Sequence, residues 1–151
     1  MTLPTLLDGD SLADVRATVL DNNPGMSPEL AERIVSDAVA FLATAARFPH
    51  ERIVPSRVVD EGWHALILHT QLYAALCETL GMFVHHRPER PDPGRFNQAA
   101  IDRTVSLIEE TGYTVHPELW RAPADDLVSV AAKCQHSDDG GPIVVQPKPK
   151  G

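Results

Sequence analysis

From Arg57 to about Leu80 the chain carries a helical pattern that is apolar on two faces, and such a helix belongs inside a bundle. At about 100° per residue, Val59, Trp63, Leu66, Ile67, Thr70, Ala74 and Cys77 share one side. Leu68, Leu72 and Leu76 fall nearly opposite. The spacing predicts one continuous helix, prepared by Pro55-Ser56, stopped at Gly81 and sandwiched between neighbours as the central element.

Other helices are expected around it. Ser11 as an N-cap starts a first helix over Leu12–Leu20, ended by Asn22-Asn23-Pro24-Gly25. Ser27-Pro28-Glu29 is a stronger start, with a cap, a proline at the first helical position and an acid in the first turn. It opens a second helix to about Phe48, with Leu30, Ile34, Ala38, Phe41, Leu42 and Ala45 as its apolar stripe. A fourth helix is expected from about Arg95 to Glu110, with Ala99, Ile101, Val105 and Ile108 inward and Gly112 ending it. Tyr113 to Val115 reads as extended, Pro117 opens a short turn, and Asp125 starts a last helix through Lys133. The fold class is therefore all-α: a small single-domain bundle of four to five helices over residues 1–134. Residues 135–151 read as a flexible tail, with Ile143-Val144-Val145 as a short edge strand at most.

Charge restricts the partners. A net charge of −8 over 151 residues disfavours nucleic acid and anionic membrane surfaces, and no window gathers enough Lys and Arg to reverse that. No apolar run approaches the roughly 20 residues of a spanning helix, and the N-terminus lacks the pattern of a secretory signal. With two cysteines and no export signal, the expectation is a cytoplasmic protein with reduced thiols.

Chemistry-bearing residues concentrate between Ser56 and His86, which hold four of the seven histidines and one of the two cysteines. Arg57, Asp60, His64, Gln71 and Glu78 form a polar stripe between the two apolar faces. Asp60 and His64, four residues apart, are neighbours on it. A carboxylate and an imidazole at that spacing can chelate a divalent metal such as zinc, with His50, Glu51 or Glu61 as further ligands. The plainer reading is a hydrogen-bonded pair on an exposed stripe. His69, about 140° around the wheel from His64, faces another neighbour or solvent.

Cys77 and His85 form a second candidate site. Along a straight helix Cys77 is about 19–20 Å from His64, too far for one mononuclear centre. His85 can fold back to Cys77, and His86, His116, Cys134 and His136 are the candidates to complete a zinc site. A cysteine on an apolar stripe is otherwise core filler.

The run Asp60-x-x-Trp63-His64, with Thr70, Tyr73, Cys77, Gly81 and His85, resembles the core motif of the glycine-rich domain-containing protein-like family, here as a bacterial member. The resemblance spans roughly residues 28–120. It departs at Leu66, where that family commonly has a second histidine, and in a tail reduced to Cys134, His136 and Gly140-Gly141. It implies a helical fold and a polar motif of interest at Asp60–His64, without a defined reaction.

Two functions stay open. One is a small metal-binding protein with Asp60 and His64 as ligands, Trp63 packed behind them and an acid such as Glu61 placed to act as base. The other is an accessory protein that docks on a protein partner and uses Asp60–His64 as a structural pair. Metal-free catalysis has less support, since no Gly-x-Ser-x-Gly elbow, P-loop or dinucleotide-binding turn occurs.

Overall fold

A computed structural model describes residues 6–86 and 98–121, and among these there are five α-helices, one short 3-10 turn and no strand. The helices are α1 (Gly9–Asn22), α2 (Pro28–Arg47), α3 (Arg57–Leu68), α4 (Thr70–Leu80) and α5 (Gln98–Glu110), and the turn is Pro117–Leu119. The all-α expectation holds. The expected helix over 125–133, the tail from 135 and the start of the fourth helix at 95–97 lie outside the described residues.

Caps set most of the boundaries. The Ser27 hydroxyl accepts the Leu30 N–H at 3.1 Å, and Pro28 occupies the first turn of α2 as its sequence predicts. Ser56 does the same for α3, accepting the Val59 N–H at 3.1 Å. The first helix begins earlier than expected, because Asp8 rather than Ser11 is the cap. Its carboxylate accepts the Ser11 N–H at 2.7 Å, and that bond holds the Asp8 carboxyl below its ordinary pKa. Gly81 and Gly112 end their helices at φ 96°, a left-handed conformation that a side chain disfavours.

The hub is α2, not the helix that begins at Arg57. The main packing partners of α2 are α1, α3, α4 and α5. Eleven of its 20 residues are buried, so the burial extends well beyond the expected stripe. Alanines at 31, 38, 40 and 43 keep it slim enough for neighbours to approach on several sides. A close approach occurs at Gly62 of α3, where a Cβ would lie 2.8 Å from the Ile34 carbonyl oxygen.

The expected long helix is two helices. Leu68 is followed by His69 at φ −92°, ψ 78°, and the helix restarts at Thr70. The wheel drawn for a straight rod is therefore wrong beyond this point: Leu68, Thr70 and Ala74 are exposed, while Leu76 and Cys77 are both buried. His69 faces a neighbouring helix. Its Nε2 lies 2.7 Å from the Thr18 hydroxyl of α1, at the corner between α3 and α4.

In α5, Ile101, Thr104 and Ile108 face inward and Ala99 does not. Thr104 satisfies its hydroxyl within the helix by donating to the Ala100 carbonyl at 2.9 Å. It then accepts the Val54 N–H at 3.0 Å, tying the connector before α3 to α5.

Candidate functional site

The bend at His69 brings together residues that a straight helix would keep apart. Trp63 and Tyr73 would be separated by about 15 Å of unbroken axis. Instead the Trp63 indole N–H donates to the Tyr73 hydroxyl at 2.9 Å. Tyr73 in turn donates to the Val84 carbonyl. This chain of bonds fastens the extended segment after Gly81 across α3 and α4. Phe41 of α2 supports the Trp63 ring from behind, with centroids 5.2 Å apart.

His86 completes the cluster. Its Nε2 lies 2.9 Å from Asp60 Oδ1, and its ring meets Trp63 edge-on at 4.5 Å between centroids. Asp60 is thus engaged by a residue that sequence reasoning assigned to the other candidate site. That division rested on the length of a straight helix, and folding α4 back on α3 removes it. His64, one turn beyond Asp60, is half-buried and engaged rather than free.

The remaining candidates disperse. Glu61 is not beside Asp60: it is buried, and Asn23 at the end of α1 donates to its Oε2 at 3.2 Å. His50 and Glu51 are exposed in the connector before α3. His85 lies at the surface against Phe83, at 4.9 Å between centroids, whereas Cys77 is 1% exposed. His116 is held at Asp37. Cys134 and His136 lie outside the described residues. Among the described residues, no group of three or more His, Cys, Asp or Glu side chains is placed to hold a metal ion.

Burial governs the proton chemistry of the cluster. It pushes the Tyr73 hydroxyl well above its ordinary pKa, so this group stays a neutral donor. It also raises the Cys77 thiol, which the Val84 N–H and the Tyr73 hydroxyl only partly offset. A thiol in that setting is a poor nucleophile. In a Cys134→Ser background, Cys77 should therefore label with a disulfide reagent only at the rate of unfolding. Rapid stoichiometric labelling of native protein at neutral pH would show that the thiol is reachable after all.

A second polar cluster escaped the sequence reading. Asp37, in the middle of α2, has no exposed surface. Its Oδ1 lies 2.8 Å from His116 Nδ1, and its Oδ2 accepts the His116 backbone N–H and the Trp120 indole N–H, each at 2.9 Å. Desolvation raises the Asp37 pKa, with these donors pulling against it. The one signal in the sequence was an acid inside an otherwise apolar helical run.

A family model described as UCP032817-like matches residues 12–108. The chain belongs to the UCP032817-like family. The match corrects the resemblance to the glycine-rich domain-containing protein-like family, which the findings do not support. Of the residues that carried that resemblance, Asp60, Trp63 and Tyr73 join His86 in a cluster of hydrogen-bonded and packed side chains, and such a packing solution is no signature of one family. No curated protein and no solved structure matches the UCP032817-like chain. No helix among the described residues is long and apolar enough to cross a membrane.

Proposed function

We propose that this UCP032817-like protein is a non-catalytic accessory protein, and that Asp60, Trp63, Tyr73 and His86 form a clasp presenting the 82–86 segment to a protein partner. The observation that carries this reading is the bonding from Trp63 through Tyr73 to the Val84 carbonyl, with Asp60 engaging His86 beside it. The polar groups of the motif serve one another and the backbone of the segment. Met82 and Phe83, 38% and 48% exposed, are what the clasped segment offers outward. The raised Tyr73 and Cys77 pKa values leave the cluster without a ready nucleophile. A reducing compartment such as the cytoplasm suits the free Cys77 thiol.

The metal reading keeps one specific observation in its favour. A carboxylate that holds one imidazole nitrogen orients the other for a ligand, the usual arrangement behind a metal-binding histidine. Nε2 of His86 lies 2.9 Å from Asp60 Oδ1, and His64 stands one turn along the same helix. In that reading a divalent ion such as zinc would use Nδ1 of His86 together with His64.

Metal analysis by plasma mass spectrometry on untagged protein separates the two readings. The clasp reading expects substoichiometric metal in wild type, His64→Ala and His86→Ala alike. It also expects faster amide exchange at His85 and His86 when Tyr73→Phe removes the bond to Val84. Near-stoichiometric metal that disappears with either histidine would overturn it in favour of the metal site.

A further inference from the structure

Among the described residues, the donors to the sealed carboxylate of Asp37 come from two, His116 and Trp120. Ionised carboxylates are tolerated out of water only when so paired. The segment that supplies the donors is short. It buries Val115, Leu119 and Trp120, and it bridges three helices. Besides the bonds to Asp37 in α2, Ser56 at the start of α3 donates to the Leu119 carbonyl at 2.6 Å, and Gln98 of α5 donates to the Trp120 carbonyl at 3.1 Å.

Two features mark the segment as separable. It joins α5 through a turn at Gly112, and the main packing of the five helices on one another does not run through it. The acid also lies inside the 12–108 span shared with the family, while its donors lie beyond that span.

We propose that residues 113–121 form a strap over α2, locked by Asp37, that opens as one unit while the five-helix bundle stays folded. Asp37 is a positioning residue here: it fixes the strap through three bonds that are made or lost together. Opening uncovers a groove between α2, the start of α3 and α5, with a carboxylate at its floor. Local openings of this kind occur at free energies below that of global unfolding.

Amide hydrogen exchange by NMR on the full chain tests the strap, comparing wild type with Asp37→Asn and His116→Ala. Exchange at Leu119 and Trp120 should accelerate at least about tenfold in both variants, while Leu42 in α2 and Leu66 in α3 stay within about twofold of wild type. Equal acceleration at all four amides would overturn the proposal, because the strap would then be an inseparable part of the core. Unchanged protection at Leu119 and Trp120 would overturn it too, because Asp37 would not be the lock. Should Asp37→Asn fail to fold, His116→Ala decides, since it removes the paired imidazole and leaves the acid in place.

Discussion

Trp63→Ala should cost about 3–5 kcal/mol of stability in denaturant unfolding. The ring is 7% exposed and packs between Phe41 of α2 and the edge of His86. Truncation removes that packing. It also deprives the Tyr73 hydroxyl of its indole donor and leaves His86 without the ring it packs on. The loss should appear as a lower midpoint and be accompanied by faster amide exchange across 82–86. A change below about 1 kcal/mol would show that the clasp is not part of the cooperative core.

Gly62→Ala should also destabilise, against the usual sign for such a change. In an ordinary helix interior, alanine is better than glycine by up to about 1 kcal/mol. Here the added Cβ would lie 2.8 Å from the Ile34 carbonyl oxygen, 2.9 Å from Ile34 Cγ2 and 3.0 Å from Ala38 Cβ. Two of those three atoms are backbone or Cβ and cannot rotate away, so α2 and α3 must separate. Overpacking of this kind costs about 1–3 kcal/mol, more than the helix propensity returns. A Gly62→Ala variant with a higher unfolding midpoint than wild type would mean that the helices stand further apart.

Both residues sit on α3, and together they show why that helix was readable only in part. Trp63 was assigned to a buried face from periodicity, and it is buried. Gly62 gave no signal on the wheel, because a missing side chain carries no hydropathy. Its role depends on how near Ile34 comes, which is a property of the partner helix. Asp60 was singled out as a candidate ligand beside His64, and it lies 2.9 Å from His86. Its partner His86 was placed with the other candidate site, because the chain has to bend twice over the 26 positions that separate the pair before they can meet.

The sequence by itself determined whatever depends on neighbours along the chain. Ser27-Pro28 starts α2, Ser56 starts α3, and Gly81 and Gly112 stop α4 and α5, because caps and left-handed turns involve only a few consecutive residues. The all-α class followed from the same local periods. Only the tertiary structure decided the break at His69, where no proline or glycine marks a stop. That break is supported by bonds from His69 to Thr18 and from Trp63 to Tyr73, contacts that span 51 and 10 residues. The pairing of Asp37 with His116 and Trp120, and the place of α2 as hub, were decided in the same way. Their energy comes from groups brought together across the fold, and a period along one helix does not contain that information.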